Sequence, residues 1–168
     1  VLDGVVATSD RQRQDLWLLR EAMVEAQAAR GWHLRTDFSV PLSRVARLVD
    51  ALQAVVAEHL PGWTPLAYGH MGDGNVHFNV LPPAGIAKAE FFAQSSTARA
   101  RMYEVVRALD GSLSAEHGIG RERLAALHAD RPAPLLALAQ AVKTLLDPDG
   151  RMNPGCLFPA PSSEDGPR

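Results

Sequence analysis

The stretch Tyr68-Gly69-His70-Met71-Gly72-Asp73-Gly74-Asn75-Val76-His77-Phe78-Asn79 carries the strongest pattern in the chain. Val76, Phe78 and Val80 alternate with Asn75, His77 and Asn79, so one face of a strand is apolar and the other polar. The Asp73-Gly74 pair is a turn signal, which predicts two strands, at 65–70 and 75–81, joined by residues 71–74. Three polar side chains in alternate positions beside a glycine-rich turn mark a strand face that lines a site. His70 and His77 flank the turn and can aim two imidazoles at one point, and neutral imidazole is the commonest nitrogen ligand for divalent metals.

Working outward, a strand at 35–40 ends at Pro41, and Val45, Leu48, Leu52, Val55 and Val56 recur at helical spacing before Pro61 and Gly62. A long helix over 86–109 is closed by Gly111, and 112–116 is a short strand leading into His117-Gly118-Ile119-Gly120. The order from 35 to 116 is β-α-β-β-α-β, the ferredoxin-like arrangement of an α+β protein, with helices on one face of an antiparallel sheet. We expect strands one and three to be parallel, with two and four running against them. One sheet end would then gather Arg35, His70, Asn75, His77 and Glu116. Before this unit come a strand at 2–7 and a helix capped at Ser9 and Asp10. After it come helices at 121–128 and 134–146 and a disordered tail over 159–168.

Two histidines and one carboxylate with open positions form a catalytic rather than a structural ligand set, so His70, His77 and Glu116 are candidate metal ligands. His117 follows Glu116 directly and points elsewhere, as a general base would. Gly118 and Gly120 let backbone approach a ligand. His33, His59 and His128 carry no such pattern and are read as structural or solvent-exposed.

The 168 residues fit one domain, and 46% hydrophobic and 21% charged residues allow a real core. A net charge of −2 without a basic stripe argues against nucleic acid. No apolar run is long enough to span a bilayer. Cys156 is the single cysteine, so no internal disulfide forms and a reducing, cytoplasmic setting is expected, with peripheral membrane attachment left open. The chain begins with Val1, without a signal peptide, and reads as a fragment.

Three blocks carry a family resemblance. They are His70-x-Gly-Asp-Gly-Asn-x-His77, Ser114-x-Glu116-His117-Gly118-Ile119-Gly120, and Asp147-Pro148-x-Gly150-x-Met152-Asn153-Pro154-Gly155. Leu16-Trp17, Arg20-Glu21 and Asp37-x-Ser39-Val40-Pro41 add to it. The chain resembles the C-terminal (substrate/cap) domain of FAD-linked oxidases of the vanillyl-alcohol oxidase type. Within that group it is nearest the glycolate oxidase flavin subunit, D-lactate dehydrogenase and D-2-hydroxyglutarate dehydrogenase branch.

The resemblance implies oxidation of a small (R)-2-hydroxy acid to the 2-oxo acid, with hydride passing to FAD. It implies a divalent metal, zinc first, on His70, His77 and Glu116, and His117 as the base. Arg20, Arg35 and Asn79 would contact substrate, and Gly118 and Asn153 would approach the flavin. Arg35 stands where many relatives carry Lys, Val24 where some carry Thr, and Cys156 where Lys is common. The domain would span 1–158 and be incomplete at its N-terminus. The FAD-binding domain would lie elsewhere in the same chain or in a companion, and self-association is left open. Two other readings stay in view: a non-catalytic metal-binding or interaction remnant, and a metal-dependent hydrolase.

Overall fold

The computed structural model describes residues 4–159. The apolar face of the hairpin does what its alternation predicts. Strand β2 (Thr64–His70) pairs antiparallel with β3 (Asn75–Leu81), and Val76, Phe78 and Val80 are buried. The link is a short 3-10 turn, Met71–Asp73, closed by Gly74 in the left-handed region (φ 69°), a conformation that favours glycine. Strand β1 is short, Phe38–Ser39, and pairs antiparallel with the other edge of β3, giving the order β1-β3-β2. Leu34 extends that edge through a single bridge to Val80.

Helices α2 (Val45–His59) and α3 (Lys88–Ala108) cover the apolar face. Leu48, Leu52 and Val56 of α2 meet Phe91, Ala98, Met102 and Val106 of α3 and Phe38, Val76, Phe78 and Val80 of the sheet in one core. Each fully buried aliphatic side chain of this kind contributes about 1.5–3 kcal/mol by leaving water. Helix α1 (Asp10–Ala29), capped by the Ser9 side chain as expected, lies on the opposite, polar face, with Gln27 buried there against Asn79. Two further helices follow, α4 (Leu124–Asp130) and α5 (Ala133–Leu146). The molecule is α+β, as the pattern predicts.

Three expectations are corrected. Strands one and three are antiparallel, not parallel: Phe38 faces Val76 and Ser39 faces Asn75. Arg35 therefore sits toward the Val80 end of β3, away from the turn that carries His70. The fourth strand reduces to one bridge, Ser112 to Ser39. After it, the Ala115 N–H is shared between the Asp37 carbonyl and carboxylate, and the amides of residues 116 and 117 turn onto the carboxylate and leave the ladder. Residues 4–7 form no strand; residues 2 and 3 of that expected strand, and residues 160–168 of the expected disordered tail, lie outside the described residues.

Candidate functional site

Glu116 reaches His77 in spite of the reversed strand because residues 112–117 double back along β1. Ser112 bridges Ser39, and the Ala115 N–H then donates to the Asp37 carbonyl (3.1 Å). The register continued from Phe38–Val76 sets Asp37 opposite His77. Three elements thus stack side by side: the returning segment, β1 and β3.

The Asp37 carboxylate is the pivot. It is fully buried, and its Oδ2 accepts N–H bonds from Ala115 (3.0 Å), Glu116 (3.0 Å) and His117 (2.9 Å). Its Oδ1 lies 3.5 Å from Nδ1 of His77. Neither Oδ1 nor Nδ1 forms a hydrogen bond with another group, both are buried, and each is the polar atom the other faces. Burial is the strongest single influence on the Asp37 carboxyl and opposes ionisation. The N–H bonds from His117 and Glu116, the His117 charge and the Ala115 N–H together outweigh it and hold the pKa below the usual carboxylate value. For His77, burial is again strongest and lowers the pKa. Asp37 and Glu116 oppose that, while the neighbouring His117 and His70 add to it.

On the cavity side, three imidazoles converge on one oxygen. Oε1 of Glu116 lies 3.3 Å from His77 Nε2, 3.5 Å from His117 Nε2 and 4.0 Å from His70 Nε2. The His77 and His117 rings stack 9° from parallel, and His70 meets His77 edge-on. Ligands about 2.1 Å from a tetrahedral zinc ion stand roughly 3.4 Å apart, so this spacing fits a divalent ion. Donor atoms of Asp37, His77, Glu116 and His117 all lie within 4.8 Å of one another. Oδ2 of Asp37 already accepts the three amides and the Ser114 hydroxyl (3.3 Å), and its Oδ1 faces His77. His70, half exposed, lies outside that group, with its Nε2 4.0 Å from Glu116 Oε1.

The cluster opens into a cavity of about 770 Å³. Arg20, Arg35 and Asn79 line it together with His70, His77, Glu116 and His117, so seven of the nine residues singled out in the sequence meet at one void. The other two do not. Gly118 uses its left-handed φ of 74° to turn the chain, and its carbonyl accepts from Arg123 (2.9 Å). Asn153 lines a separate small cleft beside Lys143 and Asp147.

Arg20, Arg35 and Asn79 are each held in the wall by contacts of their own. Arg20 lies over the Tyr68 ring at 5.3 Å. Arg35 donates its Nε–H to His33 (2.8 Å), whose Nδ1 in turn bonds the Gly31 carbonyl (2.9 Å). Both donors of the Asn79 amide are engaged, one by Gln27 (2.7 Å) and one by Tyr68 (3.1 Å), and its oxygen accepts from the Thr36 N–H (3.2 Å).

The sequence reading missed Asp37, Tyr68, Arg99 and Arg123 as site residues. Arg99 contributes a buried, unpartnered Nε to the cavity wall. Tyr68 was legible: it sits two residues before His70 on the same strand and so shares its face.

Fold and site together define an α+β domain that presents three imidazoles and a carboxylate to an arginine-lined cavity. Residues 1–157 match the family described as FAD linked oxidases, C-terminal domain, and the chain belongs to that family. It is 39% identical over 160 residues to the D-2-hydroxyglutarate dehydrogenase of Stutzerimonas stutzeri, covering 95% of this chain and 34% of that protein. To the mitochondrial D-2-hydroxyglutarate dehydrogenase of Rattus norvegicus it is 37% identical over 165 residues, covering 95% and 29%. The chain thus spans about a third of the length of these relatives. Among the described residues no helix is long and apolar enough to cross a membrane.

Proposed function

We propose that this chain is the substrate-binding portion of an FAD-dependent dehydrogenase that oxidises a small (R)-2-hydroxy acid, of the D-2-hydroxyglutarate type, to the 2-oxo acid. The observation that carries the reading is the approach of His70, His77 and His117 to Glu116 Oε1 inside a cavity lined by Arg20 and Arg35. His70, His77 and Glu116 would hold a divalent ion, zinc first, which supplies Lewis acidity toward the substrate hydroxyl, while FAD supplies the two-electron acceptor.

The chain's own residues do the rest. His117 takes the hydroxyl proton on Nε2 as the C2 hydride departs, and the hydroxyl becomes the oxo group. Arg20 and Arg35 grip carboxylate through guanidinium forks. Asn79, whose N–H groups are spent, offers only its oxygen to substrate, and its larger contribution is to hold Tyr68 and Gln27 in the wall. Gly118 and Asn153 serve the flavin side.

An FAD-binding domain, in the same chain or a companion, is the required partner. Its need is supported by Leu135, Leu138, Val142 and Leu145, which form one exposed apolar stripe along α5 at helical spacing. The free Cys156 supports a reducing compartment such as the cytoplasm.

The test is anaerobic flavin bleaching in the protein that carries both domains. D-2-hydroxyglutarate should reduce the flavin and its L enantiomer should not. His117→Ala should retain FAD and lose reduction. Failure of every (R)-2-hydroxy acid to bleach the flavin would sink the reading, and ester or amide cleavage without flavin would replace it with a metal-dependent hydrolase.

A further inference from the structure

We propose that Asp37 is the positioning residue of this site: its buried carboxylate fixes His77 as the Nδ1–H tautomer, so that Nε2 presents a lone pair to the cavity. The neutral imidazole has one N–H to place. On its two sides stand two carboxylate oxygens, Asp37 Oδ1 at 3.5 Å from Nδ1 and Glu116 Oε1 at 3.3 Å from Nε2.

The choice between them follows from burial. The Glu116 side chain is 48% exposed and can draw hydrogen bonds from water. Oδ1 of Asp37 is fully buried and accepts no hydrogen bond from any other described residue, and His77 Nδ1 faces it at 3.5 Å. A buried acceptor left without a donor is costly, the more so when charged, whereas an exposed one can turn to water. The proton therefore belongs on Nδ1.

The same carboxylate also sets the partner. Three consecutive amides, 115 to 117, close on its Oδ2, and that fixes where the Glu116 and His117 side chains leave the backbone. One residue thus orients a histidine on β3 and a Glu-His pair on the returning segment. Its consequence for metal rests on the ligand set proposed above. A carboxylate behind a ligating histidine typically changes metal affinity 10–100-fold.

The test has two readouts. In metal-free protein labelled with ¹⁵N-histidine at pH 8, long-range ¹H–¹⁵N correlations should show His77 as the Nδ1–H tautomer; an Nε2–H tautomer in the wild type overturns the proposal. In Asp37→Asn the amide oxygen can keep the three N–H bonds while its NH₂ faces Nδ1. His77 should then switch to Nε2–H, and the Co²⁺ dissociation constant of the folded variant should rise 10–100-fold. Unchanged tautomer and unchanged Co²⁺ affinity in that variant also overturn it. If the wild type binds no Co²⁺, the metal reading fails, and the tautomer still decides the role of Asp37. If the variant does not fold, the wild-type spectrum still decides.

Discussion

Nε2 of His77 stands 3.3 Å from Oε1 of Glu116, yet the two side chains live in different solvents. His77 is 9% exposed and Glu116 48%. His70, the third proposed ligand, is also 48% exposed. Truncation should therefore separate metal binding from folding. His70→Ala should abolish tight Zn²⁺ binding while shifting stability by no more than about 0.5 kcal/mol, as for surface substitutions. His77→Ala should abolish binding and also cost about 1–3 kcal/mol in metal-free protein, because it leaves a void and strips Asp37 Oδ1 of its neighbour. Zn²⁺ titration calorimetry and urea unfolding of both variants check this; equal stability losses would contradict the difference in burial.

Much of this arrangement is legible in the sequence because it is periodic. Val76, Phe78 and Val80 against Asn75, His77 and Asn79 give the strand, its faces and the polar wall. Asp37 is not legible that way. A single aspartate before Phe38 has no period, and its importance arises from amides at 115–117 that only tertiary folding brings near. The expected fourth strand failed for the same reason: those amides have a buried carboxylate to satisfy, which competes with ladder pairing. The expected convergence of His70, His77 and Glu116 came from a wrong strand orientation. It is recovered because the segment after Ser112 runs back toward Asp37.

Asn79 holds helix α1 to the sheet. Gln27 is the only residue of α1 that is buried, and the Asn79 amide is its partner at 2.7 Å. Asn79→Ala leaves the Gln27 carbonyl and the Thr36 N–H without that partner, at about 1–3 kcal/mol for each group that stays buried. Arg20 should lose its place over Tyr68 as α1 loosens. Hydrogen exchange should show faster α1 amides with β2 and β3 still protected. Unchanged α1 protection would mean that the helix is held by other contacts.

Acid should attack the protein at two carboxylates. Both Asp37 and Asp147 have pKa values lowered in the folded state. At Asp147 the leading cause is the Lys143 side-chain hydrogen bond; burial opposes it, and the Met152 and Arg151 N–H groups add to it. A lowered folded pKa means that the stabilisation is fully present above the unfolded value, near 3.9. It is lost as pH falls below that value and through the folded pKa. Between pH 7 and 5 neither group should change stability. Below about pH 4 the 147–152 turn should open locally and the 115–117 loop should lose its anchor. Asp147→Asn should remove the acid sensitivity of the turn alone. Amide exchange from pH 5 to pH 2.5 reads both, and a turn that stays equally acid-labile in the variant would refute the assignment.

Glycines around the site should differ sharply in what they tolerate. A Cβ on Gly74 would sit 2.1 Å from the Val40 carbonyl oxygen, at a φ of 69°. That contact is with backbone, and the Val40 N–H bonds the Gly74 carbonyl at 3.1 Å, so neither chain can yield without breaking the join between the His70–Asn75 link and β1. Gly74→Ala should cost more than about 3 kcal/mol, since steric overlap adds to left-handed strain. A Cβ on Gly118 would meet nothing within 4 Å, so only its φ of 74° matters there. Gly118→Ala should cost about 1–2 kcal/mol. Thermal unfolding of the two variants in metal-free protein should therefore rank Gly74→Ala well below Gly118→Ala. The reverse order would mean that the Gly118 turn, rather than the hairpin link, is the point of closest approach in this half of the site.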